Sequence, residues 1–166
     1  MRKMKLISII VLAALLLVSN CVAIPFIPTT NDMGWMNQTI QASNVIISDI
    51  ELISFAAENS YYVSLITYCD LAATDLKIAL EDSQQCAVSS ELLEAKFYYE
   101  QSLSTYIQGS EKVSLGLQLN DASLISQGIK LLLKGSEYMM LSTRALKTVQ
   151  APTYASTNAS TKWVYQ

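Results

Sequence analysis

The stretch Leu92 to Val149 reads LLEAKFYYEQSLSTYIQGSEKVSLGLQLNDASLISQGIKLLLKGSEYMMLSTRALKTV, and its spacing sets the architecture. Steps of three and four residues pick out Leu92, Ala95, Tyr99, Ser102, Tyr106, Gly109, Val113 and Gly116 in its first half. The same steps pick out Ile125, Gly128, Leu132, Gly135, Met139, Ser142, Leu146 and Val149 in its second. Large and small residues alternate along both rows, the last step excepted. A sustained heptad of this kind is a seam between two helices. Asn120-Asp121 breaks both patterns and is the turn between them. A hairpin centred there pairs residues whose numbers sum to 241. Tyr106 then faces Gly135, Gly109 faces Leu132, Val113 faces Gly128, and Gly116 faces Ile125. Further out, Tyr99 faces Ser142 and Met139 faces Ser102. Interior glycine costs about 1 kcal/mol against alanine in a helix, and close approach of two backbones is a reason to keep it.

Outward from this hairpin the same periodicity predicts two more helices. One runs over about 35–58, with a stripe of Met36, Ile40, Ser43, Ile47, Ile50, Ser54 and Ala57. The next runs over about 61–84, with Tyr62, Ile66, Cys69, Ala73, Leu76 and Leu80, after a break at Glu58-Asn59-Ser60 in which Ser60 is placed to cap. Ser89 or Ser90 caps the third helix, with Glu91 and Glu94 as dipole-favoured acids in its first turn. No segment alternates with period two, so no sheet is expected. The predicted fold is all-α, an antiparallel four-helix bundle over 35–149. Residues 24–34, with Pro25, Pro28 and Gly34, read as a linker. Residues 150–166, rich in Ser, Thr and Ala, read as a disordered tail ending Lys162-Trp163-Val164-Tyr165. A weaker echo relates Leu103–Leu115 to Ile129–Leu141, with Gly-Ser-Glu in both.

The chain begins with an export pattern. Arg2, Lys3 and Lys5 precede an apolar run from Leu6 to Val18, followed by Ser19-Asn20-Cys21-Val22-Ala23. Residues 1–23 therefore read as a signal peptide or membrane anchor, with the remainder outside the cytoplasm. Three fates fit: cleavage after Ala23, lipidation of Cys21, or retention of the apolar run as an anchor. The expected location is extracytoplasmic, in the cell envelope or associated with the membrane. Charge beyond the signal is uneven. Residues 24–120 carry 12 acids and 3 bases, whereas residues 121–166 carry 2 acids and 5 bases.

Composition excludes several chemistries. The chain has 166 residues, a net charge of −3 and no histidine. Without histidine there is no His general base, no Ser–His or Cys–His pair and no His-ligated metal. The acidic balance argues against nucleic acid. No phosphate-binding glycine loop or nucleophile elbow occurs, and the carboxylate pairs Glu91/Glu94 and Asp49/Glu51 have no basic partner at helical spacing. The reading is of a non-enzyme with no cofactor and no catalytic or metal-binding residue. Cys69 and Cys86 remain after the signal. A straight helix would hold them about 25 Å apart, far beyond disulfide reach, so free thiols are the first expectation and an intrachain disulfide the second. Nine tyrosines are many for this size; Tyr62, Tyr99, Tyr106 and Tyr138 fall on or near the seams.

Val88-Ser89-Ser90-Glu91-Leu92, Ala95-Lys96, Tyr99, Tyr106, Gly109 and Gly135-Ser136-Glu137-Tyr138 form a pattern that resembles uncharacterised small exported helical proteins of archaea, over about residues 86–146. Those proteins often carry Pro where this chain has Ser90. The resemblance implies an envelope location and no activity. The expected function is that of a non-catalytic exported or membrane-tethered envelope protein. It would act through helix-mediated contact with a protein partner or a second copy, and reach the membrane through its N-terminal segment. The alternative is a helical bundle that binds a small ligand in a cavity lined by Tyr62, Tyr99 and Tyr106.

Overall fold

The computed structural model describes residues 27–150, and they fold into four helices joined by short turns. These are α1 (Thr30–Glu58), α2 (Tyr62–Gln85), α3 (Leu93–Gln118) and α4 (Ala122–Gln150), with a single 3₁₀ turn at Ser90–Leu92 before α3. No strand occurs among the described residues.

α1 starts inside the segment expected to be a linker. Pro28 cannot continue a helix backwards, and Thr29 caps the helix that begins after it. The Thr29 hydroxyl accepts from the Asp32 N–H at 3.2 Å while the Thr29 N–H donates to the Asp32 carboxylate at 2.9 Å. This reciprocal box satisfies two of the four orphan donors of a helix start. It outweighs Gly34, which lies exposed within α1 and whose missing side chain faces open space. The buried face of α1 is also one residue removed from the expected stripe. Asp32, Trp35, Asp49 and Ala56 are buried, with Ala42, Ile46 and Ile53 half-buried behind them, whereas Ile40 is 59% exposed. Two carboxylates on the inward row disguised it as a polar face.

Both hairpin turns use one device. Among the described residues, Ser60 and Asn120 are the non-glycine residues with positive φ, at 58° and 53°. The N–H after each of them reaches back five residues, Tyr61 to the Ala56 carbonyl and Asp121 to the Gly116 carbonyl, both at 2.8 Å. A left-handed residue here reverses the chain and caps the preceding helix. Ser60 is thus the turn residue and not the cap of α2; Tyr61 holds that place without a side-chain bond. Asp121 does cap α4, its carboxylate accepting from the N–H groups of Ser123 at 2.7 Å and Leu124 at 3.1 Å.

The helices run antiparallel, as the contacts between their ends show. Trp35 near the start of α1 donates to Ser83 near the end of α2, and Ser142 near the end of α4 donates to Ala95 near the start of α3. α3 packs most extensively against α4, then against α2, and α2 packs against α1. α3 is therefore buried on most of its circumference. All four helices contribute side chains to both hydrophobic clusters. α1 and α4 make no contact of comparable extent, which leaves that side of the bundle open.

Candidate functional site

Two structured regions stand out, a polar network at the α1 start and the α3–α4 seam. The network begins with Asp32, which is fully buried. Its carboxylate accepts from the Ser89 N–H at 2.8 Å and from the Thr29 hydroxyl at 2.7 Å as well as the Thr29 N–H. Desolvation alone would raise its pKa, but these donors together outweigh it and hold the carboxyl below its ordinary value. One charge thus pins the start of α1 to the loop entering α3. Beside it the Trp35 indole N–H donates to the Ser83 hydroxyl at 3.0 Å, and Ser83 donates to the Glu100 carboxylate at 2.9 Å. Lys96 pairs with Glu100 at 3.6 Å and donates to the Cys86 carbonyl. Each acceptor in the chain from Trp35 to Lys96 is engaged internally, so the network works as a latch between helix ends. Ser83→Ala leaves the Trp35 N–H buried without an acceptor. The expected loss is about 1–2 kcal/mol of unfolding free energy in urea titration, and an unchanged midpoint would contradict it. Thr29-x-x-Asp32 is the sequence signal for this site, hidden when 24–34 is read as linker.

The seam residues lie together. A Cβ built on Gly109 would sit 2.7 Å from Leu132 Cδ2, on Gly116 2.7 Å from the Ile125 nitrogen, and on Gly135 2.9 Å from the Tyr106 ring. On Gly128 it would sit 2.7 Å from both the Gly109 carbonyl oxygen and Val113 Cγ2. Backbone meets backbone at Gly109 and Gly128. The hydroxyls of Ser102 and Ser142 donate across the seam to the carbonyls of Gly135 and Ala95, at 2.8 and 2.7 Å, and Tyr106 Oη bonds Ser136 at 2.9 Å. Further out, Tyr99 packs edge-on against Trp35 of α1, with centroids 6.0 Å apart. Met139 lies half-buried against the cluster that contains Tyr99 and Leu103.

Cys69 and Cys86 are free thiols. Cys69 is buried in the second cluster, and burial beside Asp70 pushes its thiol up to about 12. Cys86 ends α2 and contacts Gln38 through its sulfur. Brief treatment of the native protein with a maleimide, followed by peptide mapping, is expected to label the Cys86 peptide and spare the Cys69 peptide until urea is added. Equal labelling of both would contradict the buried placement.

The tyrosines do not converge on one cavity. Tyr62 is 66% exposed, Tyr106 closes the seam, and Tyr99 borders a cavity of about 10 Å³ lined also by Trp35, Thr39 and Asp82. That is the volume of a single water, against several hundred Å³ for a small-molecule site. Burial raises the Tyr99 hydroxyl to about 12. Asp49 does not pair with Glu51; it is buried against Asp75 of α2. Glu91 is exposed at the 3₁₀ turn, and its own N–H together with Ser90 and Ser89 holds it below the ordinary carboxylate value. Among the described residues no three His, Cys, Asp or Glu side chains come together as metal ligands.

Cys21, the apolar run Leu6–Val18 and the tail beyond Gln150 lie outside the described residues. Among the described helices α1 is long and apolar enough to cross a membrane by length and composition, and only 11% of its most apolar window is buried. No protein-family model, curated protein or solved structure matches the chain.

Proposed function

We propose that this is a non-catalytic protein of the cell envelope, exported or tethered by its N-terminal segment, that acts by presenting the outer side of α1 to a protein partner. One observation carries the reading. α1 leaves Ile40, Val45 and Phe55 between 47% and 59% exposed along a helix with only two exposed charges, Glu51 and Glu58. Apolar side chains this exposed on a helix so poor in charge, with Asn37, Gln41 and Asn44 exposed among them, favour a contact surface. The basic and apolar pattern of residues 1–23 supports the location. The internally satisfied network at the α1 start supports a scaffold role, since its groups are spent on holding helix ends. The test is photo-crosslinking in the exporting host from a benzophenone residue placed at Ile40 or Phe55. A discrete protein adduct in the envelope fraction is expected. A chain that stays in the cytoplasm, or α1 probes that yield no adduct, would overturn the reading.

A further inference from the structure

The two helices that border the open side, α1 and α4, carry exposed charges of opposite sign. On α1 the exposed charges are Glu51 and Glu58, with no base on the helix, while α4 exposes Lys130, Lys134, Arg144 and Lys147 against the single acid Glu137. The ion pairs among the described residues join Lys77 to Glu111 and Lys96 to Glu100, so Glu51, Glu58 and the α4 bases enter no ion pair there. Both helices also keep apolar side chains beside these charges: Ile40 and Phe55 on α1, Leu133 and Met140 on α4, each between 38% and 59% exposed. Beside the buried row of α1, Ser43, Ile47, Ile50 and Ser54 form a half-buried row at heptad spacing, whose ends Met36 and Ala57 pack on the core clusters.

We propose that a second copy of the chain covers this side in a closed two-fold dimer, with α1 of each copy lying on α4 of the other. This rests on the interaction reading above and names its partner. Charge selects the geometry. With the two-fold axis across the helices, α1 would meet α1 and α4 would meet α4, acid on acid and base on base. With the axis along the bundle, acidic α1 meets basic α4, antiparallel. The depths match as well. Glu51 lies 7 residues before the end of α1 and Lys130 lies 8 residues after the start of α4. At 1.5 Å per residue both are about 10–12 Å from the same end of the bundle. Like-charge juxtaposition disfavours the competing arrangement and opposite charge fixes the register.

Sedimentation equilibrium on the exported chain, as isolated from its host, tests this. A dimer in the micromolar range is expected. Reversing α1 (Glu51→Lys with Glu58→Lys) or α4 (Lys130→Glu with Lys134→Glu) is expected to weaken the dimer about tenfold or more. Combining all four changes in one chain is expected to restore it. These positions are exposed, so the fold is not at stake, and far-UV circular dichroism confirms that for each variant. Four-fold reversal that fails to restore the dimer would overturn the α1-on-α4 geometry, and growth beyond a dimer would overturn the closed symmetry. A monomer throughout would overturn the self-association. The broader interaction reading would then stand or fall separately, on whether the Ile40 and Phe55 probes still capture a different protein.

Discussion

Gly128→Ala is expected to destabilise the protein by about 2–3 kcal/mol, although alanine is the better helix former by about 1 kcal/mol. The new Cβ would stand 2.7 Å from the Gly109 carbonyl oxygen and 2.8 Å from the Val113 nitrogen. Neither is the end of a flexible side chain, so α3 and α4 must separate. Separation also loosens Leu132 over Gly109 and lengthens the Ser102 and Ser142 bonds across the seam. A melting temperature lower by about 5–10 °C is the expected reading in thermal denaturation. Gly34→Ala is the matched control. It lies in α1 with nothing within 4 Å of the added carbon, so only propensity acts and the expected change is a gain of up to about 1 kcal/mol. Equal responses at the two positions would show that the close approach of α3 and α4 is not what Gly128 is there to permit.

The pH dependence of stability is expected to be set by Asp49. This residue is 5% exposed, with one carboxylate oxygen lacking a partner. Burial first, then the charge of Asp75 and a hydrogen bond with it, raise Asp49 from 3.8 to about 6. The folded value lies above the unfolded one, so folding favours the protonated form. Its stability contribution is fully present below about pH 4 and is lost as pH rises through 6. Asp32 acts in the opposite sense, because its folded value lies below 3.8 and its contribution is lost as pH falls beneath that point. Stability is therefore expected to peak near pH 4–5 and to decline to neutrality by on the order of 2 kcal/mol, two pKa units at 1.36 kcal/mol each with some allowance for relaxation. Asp49→Asn removes the decline and makes the protein more stable at pH 7 while leaving it nearly unchanged at pH 4. Urea titrations of both proteins at pH 4, 5, 6 and 7 check this. A wild-type profile flat across that range would show that Asp49 is charged at no cost.

The two regions differ in how far the sequence discloses them. The pairing of Gly109 with Leu132, Gly116 with Ile125, Gly128 with Val113 and Gly135 with Tyr106 is legible because the two helices are adjacent in sequence. A turn of known position and a heptad of alternating sizes leave a hairpin one register. The inward face of α1 is not legible, because Asp32, Thr39 and Asp49 interrupt it and a helix pattern counts polar residues as outward. Only partners distant in sequence make them inward: Ser89 for Asp32, Asp75 for Asp49. The start of α1 is obscured for a smaller reason. Pro28 and Gly34 read locally as breakers, and the Thr29–Asp32 box between them overrides both.

The all-α class, the helix count, the turn positions and the α3–α4 register all follow from local spacing, and the amino-acid order suffices for them. Three outcomes needed the folded chain: which row of α1 is buried, where Tyr99 points, and that the α1–α4 side stays open. Each depends on how one helix pair is rotated against another. That rotation is set by long-range hydrogen bonds to buried charges and by the backbone contact at Gly109 and Gly128, and local periodicity contains no term for either.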